Sequence, residues 1–199
     1  NIAGQFDNAT TGTPYGLESK FSGASPDDNT SWAFNFTDNS AARFRVQSDG
    51  DVVNHDNSYG SLSDERIKQD IVDANSQWDD IKAVKVRNYK KKDDVDQYGD
   101  KAWSQIGVIA QELETVSPKL IKESAPEAND IKHSAEFGTL YEDGDTIPEG
   151  KKVGDVKEIK ATVKKVSYSV LYMKAVKALQ EAMVRIETLE AKVKTLEEA

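Results

Sequence analysis

The sequence predicts an α+β chain in three stretches: a short β-rich segment over 1–62, a mixed α+β region from Ser63, and a long helix over 168–199. Three observations carry this. The first sixty residues are rich in Gly, Asn, Asp, Ser and Thr around short alternating runs, apolar positions take helical spacing just after Ser63, and the last thirty-odd residues contain neither Gly nor Pro.

In the first stretch, Trp32-Ala33-Phe34-Asn35-Phe36 and Ala42-Arg43-Phe44-Arg45-Val46 alternate as half-buried strands do. Ser48-Asp49-Gly50-Asp51 and Asp56-Asn57-Ser58-Tyr59-Gly60 are turn signals between and after them. So small a β module has few core candidates and is expected to depend on partner chains. After Ser63, Ile67, Ile71, Ala74 and Trp78 predict a helix over about 64–75. Lys82 to Lys90 alternates loosely as a strand, as does Gln105 to Ala110, and Ile109 to Val116 reads as a short helix stopped before Pro118. Helix and strand compete over Ile106 to Ala110. Asp143-Gly144-Asp145 and Pro148-Glu149-Gly150 mark turns, and Lys157 to Val166 reads as a strand with Ile159, Ala161 and Val163 on one face. The basic run Val86 to Lys92 is followed at once by Asp93, Asp94 and Asp96, which makes it a solvated strand end or hairpin rather than a patch.

From Tyr168 the composition is dominated by Ala, Leu, Lys, Glu and Val. Tyr172, Leu179, Ile186 and Val193 at position a put Ala175, Ala182, Leu189 and Leu196 at position d. Beyond Ile186 the apolar positions narrow to a and d, as in a coiled-coil seam, whereas a helix packed on its own domain shows a wider stripe. The seam by itself leaves the number of strands open.

Composition excludes several classes of function. The net charge of -9 divides as 3 basic against 8 acidic residues in 1–62 and 23 against 27 in 63–199, so neither part is a nucleic-acid binder. No apolar run approaches the roughly 18 residues that cross a bilayer. The start NIAGQFDNATTG has neither the charged nor the apolar region of a signal peptide, so a soluble piece of a longer chain is expected. With no Cys, and with His55 and His133 as the only imidazoles, no disulfide, metal or cofactor is expected. Assembly in a reducing cytoplasm is compatible with that.

The stretch that can do chemistry is Gly60-Ser61-Leu62-Ser63-Asp64-Glu65-Arg66-Ile67-Lys68, at the border of the β segment. With Ser63 at a helix N-cap, Lys68 lies one to two turns on and can fold back to the hydroxyl. A neutral amine in reach activates a serine, as in Ser-Lys hydrolases. The helix dipole, the Arg66 cation and desolvation at an oligomer interface all favour the neutral amine, and Asp64 opposes it unless occupied elsewhere. Amides at the helix start, or Arg66, can hold the oxyanion formed on the Leu62 carbonyl. Against this stands an ordinary helix cap: Ser-Asp before an apolar helical pattern, with Ser61 and Asp64 in capping-box spacing. Spacing alone does not choose between them.

The runs Ala42 to Val46 and Ser48 to Val52, followed by Ser63 to Lys68, resemble the junction between phage fibre shafts and the endosialidase-type intramolecular chaperone auto-processing domain. Ile106-Gly107-Val108-Ile109-Ala110-Gln111-Glu112-Leu113-Glu114 resembles that family's second hallmark. Val166-Ser167-Tyr168-Ser169-Val170-Leu171, leading into Ala178-Leu179-Gln180-Glu181, resembles its third. The resemblance spans 63–199 in order. It implies a homotrimeric chaperone that folds the preceding fibre or tailspike and then cuts Leu62-Ser63, with Ser63 as nucleophile, Lys68 as general base, and Asp64 and Arg66 in support. It also implies a fibre part in the phage virion tail and a chaperone part acting in the bacterial cytoplasm. His133 has no counterpart in that family and is expected at a surface or interface. Two rival readings remain: a non-catalytic trimeric fibre tip, and a receptor- or glycan-binding fibre end carried by 1–62.

Overall fold

The computed structural model describes residues 16–24 and 26–199; the first fifteen residues of the expected β-rich segment lie outside it. The chain forms two compact units, Asn1–Ile71 and Val72–Ala199.

In the first unit, β1 (Trp32–Thr37), β2 (Ala42–Gln47) and β3 (Val52–Asn54) form one antiparallel meander in the order β1-β2-β3. The two predicted strands are therefore present, with a third after the turn in which Gly50 takes φ 89°. Register places Phe34 opposite Val46, Phe36 opposite Phe44, and Val46 opposite Val52, so an apolar set shares one face. Phe34 and Phe44 meet edge to face at 6.1 Å. Phe36 on that face stays 54% exposed. That agrees with a β module too small to bury its own apolar face.

The helix expected over 64–75 does not form. A single 3₁₀ turn, Glu65–Ile67, is followed by chain without regular structure up to Gln77, and Asp70 takes φ 54°. The reason is packing: Ile67 and Ile71 would form the buried face, but both lie exposed, and a short helix with no tertiary support is unstable in water. β-branched Ile71 and Val72 and the acidic Asp70 and Asp73 add little helix propensity of their own.

The second unit is mixed α and β. α1 (Trp78–Ala83) takes up the start of the stretch expected as a strand, of which β4 (Arg87–Tyr89) alone pairs as a strand. β4 pairs antiparallel with β5 (Gln105–Gly107), between which run α2 (Lys92–Tyr98) and a 3₁₀ turn. The basic run is thus a solvated strand end, the end of β4, that leads into a helix start, with Asp93 and Asp94 in the first turn where their charge suits the dipole. The contest over Ile106 to Ala110 resolves as strand to Gly107 and helix from Ala110, where α3 (Ala110–Glu114) begins.

β6 (Ile121–Ser124), α4 (Ala128–His133) and β7 (Gly138–Leu140) follow. The single strand expected over Lys157 to Val166 is two: β8 (Val156–Ile159) pairs with β7, and β9 (Val163–Val166) pairs with β6. The chain turns between them, where the amides of Lys160 and Ala161 both donate to the Phe137 carbonyl. α5 (Tyr168–Glu197) is the long C-terminal helix in the place expected. Leu113 of α3, Leu120 and Leu171 of α5 form the buried core, with Ile81, Val84, Val108, Ile121 and Val166 packed on it.

Gly138 sits where β7 meets β8: a Cβ there would lie 2.1 Å from the Glu158 carbonyl oxygen. Gly138→Ala is expected to destabilise the second unit by about 1–3 kcal/mol through backbone displacement, read as a lower thermal midpoint.

Candidate functional site

The Ser63 to Lys68 stretch is wholly within the first unit and is built around the 3₁₀ turn. Asp64, not Ser63 or Ser61, is the cap: its Oδ1 accepts the Arg66 amide at 2.9 Å. The guanidinium closes on the same carboxylate, with Nε donating to Oδ1 at 2.9 Å and an Nη donating to Oδ2 at 2.6 Å. This two-pronged pair holds the Asp64 carboxyl below its ordinary range, first through the Arg66 side chain and then through its amide, and raises Arg66 in return. The turn frees Ser63 from capping duty. Lys68, just past the turn, donates its amide to the Glu65 carbonyl at 3.0 Å, and its Nζ hydrogen-bonds Ser63 Oγ at 2.7 Å.

The sequence placed these four residues together and the structure does too, with altered partnerships. Asp64 and Arg66 are spent on each other. The turn of three residues replaces the helix, so the dipole effect expected at Lys68 is confined to one turn. Ser63 and Lys68 are exposed, and Leu62, on the other side of the bond, is 89% exposed. A serine with an amine in contact, next to an accessible peptide bond, is chemically equipped for attack once water is excluded.

In the second unit, the other two motifs are scaffold. Gly107 fits because a Cβ would stand 2.9 Å from the Tyr168 hydroxyl and 3.0 Å from that of Tyr89. Burial, and Tyr168 beside it, push the Tyr89 hydroxyl up. Glu112 receives Nε and an Nη of Arg87 at 3.0 and 2.7 Å, which holds its carboxyl below the usual range and ties α3 to β4. Leu113 and Leu171 enter the core, and the Ser167 amide donates to the Leu120 carbonyl at 2.9 Å. Glu114 pairs with Lys164 of β9.

Sequence reasoning missed a polar network under α5. Asp80 Oδ2 accepts from Lys174 Nζ at 2.7 Å and from Ser117 Oγ at 2.9 Å, and Lys174 first, then Ser117, lowers the Asp80 carboxyl. Glu181 accepts from the Gln77 amide at 3.0 Å and Ser76 Oγ at 2.7 Å, while Arg185 stacks 3.8 Å over the Trp78 ring. No periodicity or motif marks such pairs, separated by up to 105 residues. His133, expected at a surface or interface, has its side chain largely buried, with Nδ1 3.7 Å from Asp96. Among the described residues no cluster of His, Asp and Glu could hold a metal ion, and no helix is long and apolar enough to cross a membrane.

Residues 63–122 match the model of a peptidase family described as "Chaperone of endosialidase". A search of curated proteins finds no match. A solved structure, "Crystal structure of a novel intramolecular chaperon", is similar at a TM-score of 0.43 and 23% identity, over 62% of this chain and 99% of that one.

Proposed function

We propose that this chain, which carries an endosialidase-type chaperone domain over residues 63–122, drives the homotrimerisation of a preceding phage tail fibre or tailspike and then cuts itself free between Leu62 and Ser63. A chaperone of this kind implies a client region. Here the client is the β segment of residues 1–62 and whatever precedes it, destined for the virion tail, while the chaperone works in the host cytoplasm.

The observation that carries the cleavage reading is the 2.7 Å contact of Lys68 Nζ with Ser63 Oγ. In the assembled state neighbouring chains keep water from the amine, and the neutral amine takes the Ser63 hydroxyl proton as Oγ attacks the Leu62 carbonyl carbon. The C–N bond of the Leu62-Ser63 peptide breaks, the proton passes to the Ser63 nitrogen, and Leu62 is left as an ester on Oγ. Water then hydrolyses that ester, leaving a Leu62 carboxylate and a restored hydroxyl. The family's peptidase character supports the reading, as do the exposed heptad positions of α5 for assembly: Leu189 and Leu196 are 60% and 77% exposed in the single chain.

The test is the intact mass of freshly purified chain followed over time at several concentrations. Fragments ending at Leu62 and starting at Ser63 are expected, with a rate that rises as monomer gives way to trimer. A chain that stays whole as a trimer would instead support the non-catalytic fibre tip.

A further inference from the structure

A groove of about 460 Å³ opens in the second unit between α1, the 3₁₀ turn Pro118–Leu120 and the first half of α5. Val116, Pro118, Leu120, Val170 and Met173 make it apolar, and Lys119 and Lys177 stand in its lining. Lys174 also lines it but is committed to Asp80. On a helix that turns about 100° per residue, Val170, Met173 and Lys177 lie roughly opposite the Tyr172, Leu179 and Ile186 seam. A coiled-coil partner on that seam therefore does not reach the groove. Yet Val170 and Met173 remain 49% and 63% exposed, an apolar surface that the seam leaves without a use.

The chain also has an apolar segment in search of a surface. In Gln69-Asp70-Ile71-Val72-Asp73, Ile71 and Val72 are 66% and 84% exposed, in a stretch without regular structure. Asp70 and Asp73 flank them: two apolar side chains between two carboxylates, against an apolar groove with two lysines. Val72, the first residue of the second unit, does not enter the chain's own groove. Ala74 lines it and Glu181 pins Ser76 and Gln77 beside it, but Val72, two residues earlier, stays in solvent.

We propose that the groove receives the Gln69–Asp73 segment of a second copy of this chain, Ile71 and Val72 entering among Val170, Met173 and Val116, and Asp70 and Asp73 pairing with Lys119 and Lys177. This rests on the assembly described under Proposed function and supplies its coupling to the cut. Lys68 is the residue just before the docked segment, so docking brings the Ser63–Lys68 pair to a subunit surface and away from water.

The chain has no cysteine, so Val72→Cys with Met173→Cys introduces the only two thiols, both at exposed positions. Mild oxidation of the full chain is expected to give species of two and three times the mass of the chain, or of its 63–199 part where the cut has occurred, on a non-reducing denaturing gel. Leu189→Cys alone reports the seam. If the seam thiols join between chains but the groove pair does not, or joins only within a chain, the docking proposal is overturned and the assembly reading stands. If neither joins, the assembly reading fails and the docking falls with it. A second arm swaps charge: Lys119→Glu with Lys177→Glu is expected to slow cutting about tenfold, and adding Asp70→Lys with Asp73→Lys to restore it. Slowing without restoration would overturn the pairing.

Discussion

Ser63→Ala is expected to leave the chain whole at 22.0 kDa under conditions where the parent chain splits, with the cutting rate lowered by at least about a thousandfold. In the proposed mechanism the hydroxyl is the attacking atom, and alanine offers nothing for Lys68 to deprotonate. Neither residue is buried, and the turn is capped by Asp64, so the variant should keep its fold and its oligomeric mass. Lys68→Arg makes the companion test. It keeps the positive charge beside Ser63 but not the chemistry, because a guanidinium does not give up its proton near neutral pH. Equal loss in both variants, with trimer retained, would assign the pair as one unit. Fragments of unchanged mass from Ser63→Ala would remove Ser63 as nucleophile and leave its contact with Lys68 as a surface hydrogen bond.

Leu189→Asp is expected to turn the proposed trimer into monomer at micromolar concentration, seen by light scattering, and to slow the proposed cutting along with it. Leu189 is a d position in the narrow part of the α5 seam and is 60% exposed in the single chain, so the substitution costs little there. In a trimer it would bury three carboxylates in one layer, and association should weaken by more than about a hundredfold. Glu187→Lys, at an outer position of the same helix, is the control and should leave the mass unchanged. If Leu189→Asp still formed trimers, assembly would have to run through some surface other than this seam. Trimer lost with cutting at full speed would separate the two activities and refute the dependence of the cut on assembly.

The elements that the sequence determined by itself are those whose signal is local. Alternation placed β1 and β2, and the absence of Gly and Pro with a heptad pattern placed α5, because each requires only that neighbouring side chains agree on a face. The meeting of Ser63 with Lys68 was legible for the same reason, five positions being within the reach of one lysine side chain. Tertiary structure decided the rest. The spacing of Ile67, Ile71 and Ala74 suits a helix as well as the spacing in α5 does, but Ile67 and Ile71 stay exposed and the stretch stays largely unwound. Lys157 to Val166 reads as one strand, yet β7 and β6 are separate partners and the Phe137 carbonyl draws the chain into a turn between them. The pairing of Asp64 with Arg66, in which Asp64 rather than Ser63 caps the turn and also closes on the guanidinium, depends on how tightly that turn winds. A periodic pattern states which face seeks burial; whether anything lies opposite to bury it is a property of the folded chain.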